Sequence, residues 1–559
     1  MSDAPTTENS EEQTTDGDGL ILGESVGFIG QVATTSVTVT LSPGISRPLA
    51  VGEILAIEGT KKVILGEASA ISAQAGEVQV NLTLTATVDL NTLAITPGVT
   101  SSVAQGATAH RAHDLVVVAL LEGRASLFED LSDPISLSIG ASPLCPRHAL
   151  AFSPERIFGR HCAIVGTSGS GKSWTTARLI EQCAARNAKI LLLDPSGEYS
   201  ALQGPVRHVH LGSAPVPPAN CDETSLPYYE LTEADLVAIL RPTNATQLTK
   251  LRAAIRSLKL LQFDPRLGVD GNLPKANRLK TPYELAFAEY RDEVTQPENR
   301  FNISNLAMQI GLECVEPIRS HTESNYWGGL NASDHNDCVP LISKLEDLLQ
   351  SNELQCLLRP SRADSLISSI EGFLRDPAIS VLRISCEYLP TINRTREIMA
   401  NAVARHLLGM ARAGDFRSAP LILAVDEAHQ MLPKATSHLS VEYPLEAFNI
   451  IAKEGRKYGL TLCIATQRPG DIPDDVLGQV GSFFAHRLVS DADRGAIERA
   501  SGNVSPALKS RLPLLAPGEA FLMGVDFQSP LRLLISKPSS PPRSRGPDYQ
   551  GSWGSSKVQ

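Results

Sequence analysis

The sequence predicts an α/β protein: a doubly wound sheet, preceded by a small β-barrel and interrupted by an all-helical insertion. Three observations predict it. Apolar strands that end in polar residues alternate with helical segments after about residue 150, short alternating strands crowd the first hundred residues, and strand signals vanish between 223 and 377. At 559 residues, 42% hydrophobic and 20% charged, the chain is also too long for a single core, since cores stop growing at roughly 250 to 300 residues.

Residues 1–19 are Ser, Thr, Asp and Glu with almost nothing apolar, so this acidic tail is expected to be disordered. Residues 20–112 hold "VGFIGQV", "SVTVTL", "EILAIEG", "KKVILGE" and "EVQVNLTLTATV", separated by turn residues, as a small barrel requires. Residues 113–222 form the first part of the α/β core. There "RHCAIVG" is a strand, "SWTTARLIEQCAARN" a helix and "KILLLDPSGEYS" a second strand without alternation, hence buried on both faces.

The insertion, 223–377, reads as helical. Leu248, Leu251, Ile255 and Leu258 lie on one stripe, and Leu341, Ile342, Leu345 and Leu348 on another. The core resumes over 378–535 with "ISVLRISCEYL", "PLILAVDEAHQ", "LTLCIATQRP", "GSFFAHRLV" and "EAFLMGV". Residues 536–559 are rich in Pro, Ser and Gly and should form a tail without a core.

Composition narrows the function classes. The longest apolar run, Leu115 to Leu121, is far short of the roughly 20 residues of a membrane span, and the N-terminus lacks a basic, apolar signal. No membrane association and a cytoplasmic location are therefore expected. Nine cysteines without a C-x-x-C pair suit reduced core thiols. A net charge of −11 argues against a wholly basic nucleic-acid coat and leaves room for a small basic pore lining.

The chemistry begins at "GTSGSGKS", Gly166, Thr167, Ser168, Gly169, Ser170, Gly171, Lys172 and Ser173, which fits the P-loop pattern G-x-x-x-x-G-K-[ST]. Backbone amides from Thr167 to Lys172 would cradle phosphate at a helix N-terminus, Lys172 would reach the β and γ oxygens, and Ser173 would ligate Mg²⁺. Trp174, next on the helix, joins the nucleotide-binding set. ATP and Mg²⁺ are the cofactors this pattern implies.

In "LAVDEAH", Asp426 can hold the Mg²⁺ shell and Glu427 can polarise a water for attack on the γ-phosphate. Two acids after a strand also serve simply as helix N-terminal caps. Gln467, ending the next strand, can sense the γ-phosphate through its amide or merely cap a loop. The basic run in "KEGRKYG" reads as a solvated helix end or as an arginine finger.

Taken together, "GRHCAIVGTSGSGKS", "LLLDPSGEY", "LILAVDEAH" and "EGRKYGLTLCIATQRP" resemble, in order, the signatures of the HerA-type ATPases, hexameric relatives of FtsK-like DNA pumps. The resemblance covers about Gly159 to Val525. It implies a RecA-like ATPase core, a homohexamer, and a nucleotide held between subunits with Lys172, Ser173, Asp426 and Glu427 acting in cis. It further implies Arg456 as a finger acting in trans, Arg160 as a second phosphate-contacting arginine, and Asp194 and Glu198 as the acidic motif near the metal. The insertion is longer than the compact helical bundle the family implies.

The expected function is thus an ATP-driven ring motor on double-stranded DNA, with Lys250, Arg252, Arg256 and Lys259 of the insertion weighed as pore residues against ordinary solvated surface. HerA-like proteins resemble one another in partnering a NurA-type nuclease or another effector, including sirtuin-type enzymes of antiviral defence, for which the barrel is the natural docking surface. An alternative is a scaffold ring that uses ATP as an assembly switch. A conjugative coupling ATPase is disfavoured by the lack of a membrane anchor.

Overall fold

Period-two alternation of apolar and polar residues closes the N-terminal strands on themselves. The computed structural model describes residues 21–543 apart from 75–76, 128–134, 217, 298–299, 352–353, 359–363, 392–393, 435–444, 503–505 and 528, together with 549 and 553. The expected acidic tail, 1–19, lies outside the described residues, as does most of the C-terminal tail beyond 543.

The strands β1 (Leu22–Val32), β2 (Ser36–Leu41), β3 (Ile54–Ile57), β4 (Lys62–Gln74), β5 (Glu77–Asp89), β6 (Ile95–Pro97) and β7 (Thr108–Ala112) run in the spatial order β2-β1-β7-β3-β4-β5-β6. Pairing of β2 with β5 closes six of them into a barrel, and β6 lies along the outside edge of β5. The inward positions, among them Val26, Ile29, Val39, Leu55, Ile57, Val80 and Leu82, form its core. Closure removes the free strand edges that would otherwise invite pairing with other chains.

Two compact units divide the chain: 1–154 with 527–536, and 155–526 with 537–559. Residues 113–154 and 527–535, assigned from the sequence to the α/β core, therefore pack in the barrel's unit. Their partners explain it. The helix Asp114–Glu122 follows β7 directly, Ala125 and Leu93 exchange backbone bonds with Ile95 and Leu127, and β8 (Leu137–Ala141) pairs with both β9 (Ala149–Phe152) and β19 (Leu531–Ile535).

The second unit is built on β10 (Cys162–Val165), β11 (Lys189–Asp194), β12 (Val206–Leu211), β13 (Asp222–Thr224), β14 (Val381–Ser385), β15 (Leu421–Val425), β16 (Leu460–Thr466), β17 (Ser482–Ala485) and β18 (Glu519–Gly524). Their order is β13-β12-β14-β11-β15-β16-β10-β17-β18. All pairs are parallel except β17 with β18. Strands β10, β14 and β17 are buried at every position, as parallel strands covered on both faces must be.

Between β13 and β14 the described residues form helices, the longest being Ala245–Phe263 and Ala332–Gln350. Leu251, Ile255, Leu258, Leu341, Leu345 and Leu348 are buried as their spacing predicts, while Leu248 and Ile342 sit at the margin of the same core. No helix among the described residues is long and apolar enough to cross a membrane. Seven of the nine cysteines, all free thiols, are buried, and burial pushes Cys183 up to about 12.

The chain returns from the insertion to the sheet over a single amine. Lys189, at the start of β11, donates from Nζ to the carbonyls of Phe373, Asp376 and Ile379 at 3.0, 2.5 and 2.6 Å. Replacing it by Met takes the side-chain donor from three carbonyls, at about 1 to 3 kcal/mol for each left unpaired away from water. Lys189→Met should therefore lower the unfolding midpoint and accelerate amide hydrogen exchange across residues 366–385, with exchange in the barrel strands unchanged. Unaltered exchange over 366–385 would show that the lysine does not hold this junction.

Candidate active site

Parallel strands put the polar residues that end β10, β11, β15 and β16 along one edge of the sheet, where ligands of such sheets bind. The P-loop leaves β10 there and enters the helix Lys172–Ala184. Its first two residues are pinned from opposite sides: Gly166 N–H donates to Thr466 O, and Thr167 N–H to Arg487 O. Space explains two of its glycines. A Cβ at Gly166 would lie 2.6 Å from His486 Cβ, and Gly171, at φ 112°, would bring one within 2.9 Å of Gly518 N.

Under the loop, His486 is fully buried. Its Nδ1 donates to Glu519 O and its Nε2 accepts from the Thr175 hydroxyl, each at 2.8 Å. Burial, with the Lys172 charge nearby, pulls its pKa down to about 4, so the ring is a neutral strut.

At the centre lies Lys172, whose Nζ is 3.2 Å from Asp426 Oδ1 and 3.0 Å from Glu427 Oε1. Burial alone would pull its pKa down, but the two carboxylates outweigh that and raise it. For Asp426, burial raises the pKa to about 7, Lys172 opposing and Glu427 adding to the rise. Glu427 has a left-handed backbone, φ 42°, a conformation that costs a non-glycine residue energy and collects at functional sites.

Gln467 Nε2 donates to Glu427 Oε1 at 2.5 Å. Three buried carboxylate oxygens, Asp426 Oδ2, Glu427 Oε2 and Glu198 Oε2, have no hydrogen-bond partner. Unpaired carboxylate oxygens beside a lysine and a glycine loop fit a divalent cation with a polyphosphate. The residues that would hold them are Ser173 and Asp426 for the metal and the loop from Gly166 to Ser173 for the phosphates.

Asp194, expected near the metal, is engaged elsewhere. Its carboxylate accepts from the backbone of Gly197 at 2.8 Å and of Tyr199 at 3.0 Å, and from Arg383 Nε at 2.7 Å. It shapes the loop that presents Glu198. Trp174 is half-buried on the first helical turn.

Arg160 and Arg456 are exposed at the opposite edge. Arg160 precedes β10 and Arg456 precedes β16, so each is separated from its own P-loop by the length of a strand, roughly 20 Å at about 3.3 Å per residue. That span exceeds the reach of an arginine side chain. His161 fixes this edge by donating from Nε2 to Ala452 O and accepting at Nδ1 from Leu462 N–H.

The four basic residues of the insertion helix are also engaged. Lys250 pairs with Asp334 at 2.8 Å, Arg252 with Glu233 at 2.9 Å, Lys259 donates to Gln296 O, and Arg256 lies over the Phe287 ring.

Residues 147–379 match the family described as "Helicase HerA, central domain", and residues 406–512 match "Helicase HerA-like C-terminal". The chain belongs to the HerA helicase family. A probable helicase of Methanocaldococcus jannaschii is 23% identical over 388 residues, which take in 68% of this chain and 63% of that protein. The DNA double-strand break repair helicase HerA of Sulfurisphaera tokodaii is 24% identical over 412 residues, 72% of this chain and 69% of its own. Among solved structures, VirB4 of Thermoanaerobacter pseudethanolicus aligns with a TM-score of 0.41 and 15% identity over 72% of this chain and 97% of its own.

Within this HerA-family site, sequence reasoning passed over His429, Thr466, His486 and Arg383. Two signals were present: a lone arginine inside the apolar strand "ISVLRISC", and a histidine ending "GSFFAH" at the ligand edge. The pairing of Arg383 with Asp194 spans 189 residues and has no local signature.

Asp426 takes up a proton on folding, because its pKa rises from 3.8 to about 7. Its contribution to stability is full below the unfolded value and is lost as pH rises through about 7, on the order of 1.4 kcal/mol per pH unit at most. Asp426→Asn should then stabilise the nucleotide-free protein against urea at pH 8, and the gain should vanish at pH 5. A gain of equal size at both values would contradict a raised Asp426.

Proposed function

We propose that this HerA-family protein is an ATP-hydrolysing ring motor that moves on double-stranded DNA and serves a nuclease or another effector enzyme. The observation that carries the hydrolytic part is the burial of Lys172 between Asp426 and Glu427 at the mouth of a P-loop, with carboxylate oxygens left unpaired.

Bound Mg²⁺ would supply charge neutralisation on the β and γ phosphates. Lys172 then turns from the carboxylates to the phosphate oxygens, and the amides from Thr167 to Lys172 hold the chain of phosphates at the positive end of the helix. Glu427, released from the lysine, accepts a hydrogen bond from the attacking water and takes its proton. Gln467, already on Glu427, orients that carboxylate and senses whether the γ-phosphate is present. The exposed edge position of Arg456 supports a finger presented to a neighbouring subunit, with Arg160 beside it as a second cation.

Ring assembly follows from that division of labour, since a site that borrows its arginine is complete only between subunits. The family's description as helicases, and the repair role in the name of the Sulfurisphaera tokodaii relative, support duplex DNA as the substrate. The barrel carries none of the phosphate motifs and is the part free to hold an effector, in repair or in defence.

One observation favours a second reading, an ATP-switched scaffold ring: Lys250, Arg252, Arg256 and Lys259 all have partners within the insertion. ATPase assays with duplexes of increasing length separate the two. A motor is stimulated more by long duplex than by short; a scaffold is indifferent to length.

Glu427→Gln should keep ATP binding while hydrolysis falls by about a hundredfold or more; loss of binding as well would make Glu427 structural. Lys172→Ala and Arg456→Ala should each be inactive alone, yet regain part of the activity when co-expressed, because some interfaces then combine an intact P-loop with an intact arginine. Mixed rings, verified with two affinity tags, that hydrolyse no faster than either parent would remove Arg456 from the site.

A further inference from the structure

His429 has no part in the reading above, yet it stands between the two strands that carry the chemistry. Its Nδ1 is 3.3 Å from Glu427 Oε2 and 3.2 Å from the Thr466 hydroxyl. Thr466 is fully buried at the end of β16, where its hydroxyl also accepts from Arg468 N–H at 3.1 Å and its carbonyl accepts from Gly166 N–H of the P-loop. Lys172, in the same loop, closes the circuit by donating to Glu427 Oε1.

Glu427 is thus held in two ways. Oε1 takes both of its donors, Lys172 and Gln467, while Oε2 has none. When Lys172 moves to the phosphates, the carboxylate loses one of its two anchors and is set on a strained left-handed backbone that a single amide must hold. The imidazole is within reach of the free oxygen. It is itself fixed by a residue whose backbone bonds to the P-loop, so any shift of the loop on binding phosphate is transmitted to Thr466 and then to the ring.

We propose that His429 is a positioning residue, tied through Thr466 to the P-loop, that holds Glu427 in its water-activating orientation once Lys172 has left it for the nucleotide. The assignment rests on Glu427 as the hydrolytic base. It goes beyond that reading by naming what keeps the base in place and what couples it to the loop.

The test is steady-state ATPase kinetics with fluorescent-nucleotide binding on the full chain. His429→Leu should lower kcat by roughly tenfold to a hundredfold, the scale of misplacing a reacting group by about 1 Å, while KM and the nucleotide Kd stay put. His429→Asn, which keeps a polar nitrogen near the Nδ1 position, should recover most of the rate. Thr466→Val should lower kcat in the same way, Thr466→Ser should restore it, and the double variant H429L/T466V should be no worse than the slower single variant.

A kcat for His429→Leu equal to that of an active wild type would overturn the assignment alone, as would losses that add in the double variant or an Asn variant as slow as the Leu one. A wild-type chain without turnover would overturn the role of Glu427, and this inference with it. Should His429→Leu fail to fold, the Asn and Thr466 variants carry the same comparison.

Discussion

Two carboxylates and one ammonium, buried together, govern the α/β unit. Asp426, Glu427 and Lys172 are all nearly or wholly removed from water, where an unbalanced charge costs several kcal/mol unless its partners are close and complete. Here they are close and incomplete: one cation faces two acids, the Glu198 charge adds to theirs at Asp426, and Asp426 responds by holding its proton up to about pH 7. Strand order follows from this demand. Only with β10, β11 and β15 ending at one edge do residues 254 apart in the chain meet within 3.2 Å. A polyphosphate with its cation would correct the deficit, drawing the lysine away and offering the acids a metal in return.

Beyond that centre, other buried polar side chains act as struts. His486 and His161 bond to backbone groups of neighbouring elements, and Asp194 to the amides of its own loop and to Arg383. Each is a buried polar group used by its surroundings, which stiffens the segment it touches. Catalytic geometry is in this sense prepared before nucleotide arrives, with the strain concentrated at one residue, Glu427.

The parts legible in the sequence were those whose meaning is local. Glycines, lysine and serine in the P-loop lie within eight residues, and an aliphatic run ending in "DEAH" marks at once a buried strand and its acidic end. Strand direction alone puts Arg456 and Gln467 at opposite edges. What periodicity could not supply was partnership between distant segments. The spacing of Leu251, Ile255 and Leu258 marks a helix face but not the Asp334 and Glu233 that neutralise Lys250 and Arg252 from other helices. In the same way, an acid at the end of β11 has the pattern of a metal-site residue, and only the arrival of Arg383 from beyond the insertion shows that Asp194 is engaged in holding its own loop. The barrel unit's boundary is hidden in the sequence for a related reason: β8 pairs with β9 beside it and with β19, at the far end of the chain.

The interleaved order of the sheet has a consequence for how the chain is made. Ile190 of β11 lies between Val381 and Ile422, and Ala163 of β10 between Ile464 and Phe483. Both strands that flank the P-loop helix leave the ribosome with no neighbour on either side, and wait through the synthesis of the whole insertion for the first one. Long-range parallel pairing of this kind is slow and leaves aliphatic strands open to aggregation. The barrel can close as soon as its own residues have emerged, whereas the ATPase unit must be sheltered until the last third of the chain is present. That delay makes it the part most dependent on chaperones and on the pace of translation.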